Sequence, residues 1–195
     1  MRKHISTVIV VGLLLVAMIF AAGCTSSDNS PTPSVPSATR DPKFVPKNIS
    51  GYRTYSDRSV GISIQYPSSW QAKNGSGYEI VSFNVSGSPS MSFTIYTQDF
   101  SGTSTTLNDF SQSALPTNLT NFKLLNSTNT TLSGYPAKKH VFTFMTFDSA
   151  TAQGMLQLTL VNRTGYMLLY VATQDVYPNY LGIVQNMTQS FNAVK

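Results

Sequence analysis

The side chains able to do chemistry are few and lie far apart in the chain. Histidine occurs at His4 and His140 alone, cysteine only at Cys24, and glutamate only at Glu79. Behind the N-terminal leader, residues 1–23, only His140 and Cys24 remain of these histidines and cysteine, so a multi-histidine metal site or a Cys–His pair elsewhere in the domain cannot be built, and no cofactor is expected. Nucleophilic catalysis needs a hydroxyl beside a base, yet Ser68-Ser69 and Ser133-Gly134 lack the Gly-x-Ser-x-Gly elbow and any identifiable base. Asp148 and Asp175 could serve as paired carboxylates only if folding happened to bring them together. Asp99 or Asp109 could bind calcium together with carbonyl oxygens, but the chain has no Asp-x-Asp loop. His140, in Lys138-Lys139-His140-Val141-Phe142, has no carboxylate near it in sequence and reads as a packed or sheet-edge histidine. The residues therefore argue against an enzyme.

The elements that position these residues follow from length and pattern. A chain of 195 residues holds one compact domain plus tails. Only 11% of residues are charged, and Ser and Thr make up about a quarter, so the surface is largely neutral and hydroxylated. Hydrophobic residues at 41% and aromatics at 11% suffice for a core, which excludes general disorder.

The first 23 residues read as an export signal: the basic Met1-Arg2-Lys3-His4, an apolar run from Ile5 to Ala22, and the small Ala21-Ala22-Gly23 before Cys24. The apolar run is also marginally long enough to span a bilayer, so an uncleaved transmembrane anchor is the alternative. Either way the rest of the chain is expected at the extracytoplasmic face of a cell membrane. With Arg2 and Lys3 removed from the 13 basic residues, 11 remain against 8 acidic ones, a net charge of +3 instead of +5. Lys138-Lys139-His140 is the one basic cluster, too small a footprint for nucleic acid.

Residues 24–47 are rich in Ser, Thr and Pro, with Pro31, Pro33, Pro36, Pro42 and Pro46 spaced along them, the composition of an extended spacer. Candidate N-glycosylation sequons stand at Asn48, Asn74, Asn84, Asn118, Asn126, Asn129, Asn162 and Asn186. The domain proper is expected over 48–195.

Alternation of apolar and polar residues predicts strands at Gly61–Tyr66, Tyr78–Val85, Met91–Tyr96, Phe122–Leu125, Tyr135–Phe147 and Met155–Val161. Tyr166–Ala172 is apolar on both faces, as suits the middle of a covered sheet. Asn74-Gly75-Ser76-Gly77 and Asn162-Arg163-Thr164-Gly165 favour antiparallel hairpins. Thr106-Leu107-Asn108-Asp109 has the capping-box pattern of a helix that Pro116 ends. A second helix, from near Asp175, aligns Val176, Tyr180, Val184, Met187 and Phe191 on one stripe. The expected fold class is α+β, a mainly antiparallel twisted sheet packed by helices.

Two resemblances then emerge. Ala21-Ala22-Gly23-Cys24 resembles the lipobox of lipoproteins, with Ala21 where leucine is commonest, and this implies a lipid on the Cys24 sulfur. Gly61-Ile62-Ser63-Ile64-Gln65-Tyr66-Pro67-Ser68-Ser69-Trp70, the later Leu132-Ser133-Gly134-Tyr135-Pro136-Ala137 and the closing Gln189-Ser190-Phe191 resemble the PsbP/Mog1-like domain over roughly residues 48–195. That likeness implies an α/β sandwich and binding without catalysis, as in relatives that retain ions in a photosynthetic complex, bind a small GTPase or assist assembly. It assigns no ion- or partner-contacting residue here. The expectation is a lipid-anchored extracytoplasmic module, with a membrane or envelope protein complex as partner; a small-ligand or glycan receptor is the alternative. Among the many tyrosines, Tyr177 and Tyr180 are the leading candidates for partner contact, because tyrosine joins an apolar body to a polar tip.

Overall fold

The computed structural model describes residues 38–86 and 90–193; the leader, Cys24 and the first part of the spacer lie outside the described residues. Its elements in chain order are β1 (Tyr52–Asp57), β2 (Ile62–Pro67), β3 (Trp70–Asn74), β4 (Glu79–Val85), β5 (Met91–Asp99), α1 (Leu107–Ser113), β6 (Lys123–Leu132), β7 (Tyr135–Met145), β8 (Thr151–Val161), β9 (Thr164–Thr173), α2 (Tyr177–Ser190) and β10 (Asn192–Ala193). This is the expected α+β architecture, in which every strand pairing is antiparallel.

Tight turns lay out the large sheet. β6 passes to β7 through Ser133 and Gly134, with φ of 54° and 78°, and β8 to β9 through Asn162 and Arg163, with φ of 47° and 65°. Two successive left-handed residues make the turn whose twist matches that of the flanking strands. The hairpins and their neighbours assemble a seven-stranded sheet in the order β3-β4-β5-β9-β8-β7-β6. A second, three-stranded sheet has the order β1-β2-β10.

Alternation along the strands sends side chains to two cores. On one face Phe83, Phe93, Ile95, Leu168 and Tyr170 pack against Ile62 and Ile64 of the small sheet and Val184, Met187 and Phe191 at α2. Tyr66 and Tyr55 lie 4.9 and 6.0 Å from Phe83 across the two sheets, ring centre to ring centre. On the other face Tyr96, Phe142, Phe144, Leu156, Leu158, Met167 and Leu169 are covered by Phe110 and Ala114 of the α1 segment. β9 feeds both cores, which explains its unbroken apolar sequence.

α1 begins at the predicted capping box. The Asp109 amide donates to Thr106 Oγ1 over 3.2 Å and the Thr106 amide to Asp109 Oδ2 over 3.0 Å. The Thr106 hydroxyl also donates to Asp109 Oδ2 at 2.6 Å, and this bond, followed by the one from the Thr106 amide, holds the Asp109 carboxyl below the usual carboxylate range. Gly165 of β9 leaves room for the Phe110 ring at the middle of α1, since a Cβ there would stand 2.7 Å from Phe110 Cζ.

The folded unit begins earlier than residue 48. The end of the expected spacer is a strap that crosses the β6–β7 turn and the end of α2. The Asp41 amide donates to the Gly134 carbonyl at 2.7 Å, and the Lys47 amide to the Gln189 carbonyl at 3.2 Å. The Arg40 guanidinium donates to the Ser133 carbonyl at 2.9 Å and to Asn192 Oδ1, and lies 4.8 Å from the centre of the Phe44 ring. Proline-rich composition signals an extended backbone but is silent on whether that backbone docks.

Candidate binding groove

α2 lies mainly against β2 and β9. The face of β6, β7 and β8 beyond it is left open as a groove of about 640 Å³, within the range of small-ligand sites. Its floor is set by strand register. Lys139 of β7 stands opposite Thr128 of β6 and Gln157 of β8, so the three share one face at about 5 Å spacing. Met155, opposite Val141, continues the floor. One wall is the outer side of α2, with Gln185, Thr188 and Gln189; the other is the strap, with Phe44, Val45 and Lys47.

Two features give the groove its chemistry. First, its lining contains two lysines and no carboxylate. The Lys47 ammonium is held by neutral oxygens, donating to Asn186 Oδ1 at 2.7 Å and Gln189 Oε1 at 3.2 Å. Second, Gln157 is nearly buried and anchored, its Nε2 donating to the Thr131 carbonyl at 3.0 Å. Amides and hydroxyls therefore line the groove around two uncompensated cations, beside the half-buried Phe44 ring. Val45 at the rim is 80% exposed. Such a lining can bind and orient a ligand, and it holds no pair of groups able to move a proton between carboxyl or imidazole partners.

Sequence reasoning did not find this site, although a signal was present. Lys139 falls between Ala137 and Val141 at alternate positions of β7, on a face that is otherwise apolar. A charge in the inward register of a long strand marks either a buried pair or an opening in the core's cover. Here it marks an opening.

Tyr177 requires a correction. It is buried at 5% exposure and stacks on Tyr170 at 4.8 Å, ring centre to ring centre, so it offers no surface to a partner. Burial pushes its hydroxyl pKa up to about 12. Tyr180 is half-buried against Trp70, 5.8 Å between ring centres, and serves that packing. Neither lines the groove.

His140 is buried as a packed histidine under α1, 2.7 Å from Ser111 Oγ through Nε2. Ser111 is 3% exposed, so this serine–histidine contact is closed to a substrate. Burial, and then the Lys138 charge, hold the imidazole pKa below its ordinary value. Asp99 and Asp109 do not converge on a metal: among the described residues no three His, Cys, Asp or Glu side chains cluster. Asp99 instead accepts from the Ser101 amide at 2.8 Å.

The sequon asparagines are spread over the surface. Asn48, Asn74, Asn118, Asn126, Asn129 and Asn162 are exposed, Asn84 and Asn186 half-buried. Asn186 is also engaged by Lys47. Cys24 lies outside the described residues, and among those described no helix is long and apolar enough to cross a membrane.

No sequence-family model and no curated protein matches the chain. Its likeness is to solved structures. Cyanobacterial PsbP (CyanoP) from Synechocystis sp. PCC 6803 is 14% identical, with a TM-score of 0.58 over 75% of this chain and 95% of that one. LpqN of Mycobacterium tuberculosis, described as involved in cell envelope biogenesis, is 11% identical, with a TM-score of 0.55 over 69% of this chain and 83% of that one. A protein from Bacteroides thetaiotaomicron VPI-5482 is 10% identical, with a TM-score of 0.54 over 74% of this chain and 49% of that one. The order of strands and helices, the two cores and these likenesses agree: the chain carries the PsbP/Mog1-like α+β fold.

Proposed function

We propose that the protein is a non-enzymatic binding module, tethered by Cys24 at the extracytoplasmic face of a cell membrane, where it holds a target belonging to a membrane or envelope assembly. The observation that carries the reading is the open face of β6, β7 and β8, where two lysines meet no carboxylate beside a half-exposed strap. The leader and the lipobox-like Ala21-Ala22-Gly23-Cys24 support the tether. Likeness to LpqN, a protein tied to envelope biogenesis, suits the setting. The scarcity of converging ionisable groups among the described residues suits binding over turnover.

The dimensions of the groove favour a second reading in which the target is a small ligand or glycan. A photo-crosslinking residue at position 185, on the groove wall, tests the common core of both readings. Irradiation of membranes carrying the full chain should give a discrete adduct from position 185 and none from a control at position 74, on the far hairpin. Equal labelling from both positions, or from neither, would count against the groove as the working surface.

A further inference from the structure

We infer that the groove binds an anionic saccharide, with the acidic group between Lys47 and Lys139 and the sugar hydroxyls on the surrounding amides. The inference rests on the proposed role of the groove as the binding surface and names the ligand class it takes.

Charge comes first. The seven acidic residues that lie within the described chain are Asp41, Asp57, Glu79, Asp99, Asp109, Asp148 and Asp175, and none lines the groove. One ammonium on the strap and one on the floor raise the local potential, and no carboxylate of the lining offsets it. Lys47 is also preorganised: its bonds to Asn186 and Gln189 fix the ammonium without neutralising it. A fixed cation loses little side-chain freedom when an anion arrives.

The carrier of that anion is set by the rest of the lining. The exposed Gln185 amide can donate and accept, the Gln189 side chain keeps its NH2 donors while its Oε1 accepts from Lys47, and the Thr188 oxygen can accept while its hydroxyl donates to the Val184 carbonyl, a set that matches sugar hydroxyls. A peptide fits poorly. β7 and β8 are paired on both sides and only the outer edge of β6 is open to a further strand, so an acidic peptide lying across the groove itself would leave its own amides unmatched. The half-buried Phe44 ring supplies an apolar surface for the C–H face of a sugar ring.

The full-length chain in detergent, titrated calorimetrically, tests this with four probes: trigalacturonate, glucose 6-phosphate, maltotriose and tetraglutamate. Binding of trigalacturonate or glucose 6-phosphate is expected, and their relative affinities separate carboxylate from phosphate as the anion. Maltotriose should bind at least about tenfold more weakly, the scale of one lost charge-assisted hydrogen bond. Lys139→Gln and Lys47→Gln should each weaken binding about tenfold, with Lys123→Gln, outside the groove, unchanged. Gln185→Ala, on the exposed side of α2, should weaken it several-fold and guards against a folding defect in the lysine variants. Equal binding of maltotriose, tighter binding of tetraglutamate, silence of both acidic sugars or indifference to Lys139→Gln would overturn the inference. If position 185 crosslinks a target while both acidic sugars are silent, the ligand class fails and the module reading stands. If both experiments are negative, the two fail together.

Discussion

The Phe44 ring closes over the backbone of Gly134, so that a Cβ at position 134 would stand 2.5 Å from Phe44 Cβ and 2.8 Å from its Cγ. This contact joins the strap to the β6–β7 turn, and so the groove wall to its floor. Gly134 also has φ of +78°, where a side chain is strained on its own account.

The Gly134→Ala variant should therefore be destabilised twice, once by the left-handed backbone and once by displacement of the strap. A total loss of about 2–4 kcal/mol is expected, of which the backbone accounts for roughly 1–2. Gly77→Ala separates the two effects. Gly77 has φ of +66°, but a Cβ there would have nothing within 4 Å, so only the backbone cost should appear. Urea denaturation of both variants measures the difference, and protease cleavage ahead of residue 48 should accelerate in Gly134→Ala alone.

His140 makes stability depend on pH. Burial lowers its pKa from the ordinary 6.5, so the folded state binds fewer protons than the unfolded chain between that lowered value and 6.5. Stability gained from the neutral imidazole is complete above about pH 6.5 and is lost as pH falls through that window toward the folded value. The urea midpoint should drop between pH 7 and pH 5, and the drop should shrink in His140→Gln, which cannot titrate. At pH 7.5 Ser111→Ala should cost about 1–3 kcal/mol. It leaves Nε2 buried without its partner, and Nδ1 already meets no hydrogen-bond partner among the described residues.

Thr106→Ala removes the hydroxyl side of the capping box. Helix caps of this kind contribute on the order of 1 kcal/mol, so a modest fall in the urea midpoint is expected. The more specific readout is Asp109. Its carboxyl is held low first by the Thr106 side chain, and a carbon-detected NMR titration should show it returning toward the ordinary carboxylate range. An unmoved Asp109 would mean that the cap bonds do not persist in solution.

Local rules made much of this fold legible. The capping box at Thr106 and the stripe ending at Phe191 state a choice that the fold then follows, and the alternation in Met91–Tyr96 puts Met91, Phe93 and Ile95 in one core, although Ser92 and Thr94 on the other face are buried as well. The missed elements obey no local rule. β1 is largely exposed and mixes polar residues with aromatics, and β10 is two residues that form only because β2 lies alongside. β6 runs on through Asn126–Thr131 with exposed polar side chains because it is an edge strand, whose outer row of backbone groups faces solvent. The groove was hidden for a related reason. Lys47, Lys139 and Gln185 come from a strap, a strand and a helix, and only the tertiary arrangement brings them around one space. Tyr177 failed as a surface residue because position on a helix near the chain's end says nothing about depth; its ring fills the space beside Tyr170, whose hydroxyl donates to the Tyr177 carbonyl at 2.8 Å.

Cys24 decides between two ways of holding the module at a membrane. If its sulfur is acylated, cleavage leaves Cys24 as the first residue, and the mature protein should have the mass of residues 24–195 plus lipid. Metabolic labelling with a fatty acid should then mark the wild type and fail in Cys24→Ser. The apolar run from Ile5 to Ala22 could alternatively stay in place as an anchor. In that case the mass would include residues 1–23, no label would enter, and Cys24→Ser would remain in the membrane fraction after carbonate extraction. The lipid reading predicts the opposite on all three measurements. A single acyl chain binds a bilayer only marginally, so stable retention of the lipid form requires more than one chain on the modified cysteine, which the mass increment counts directly.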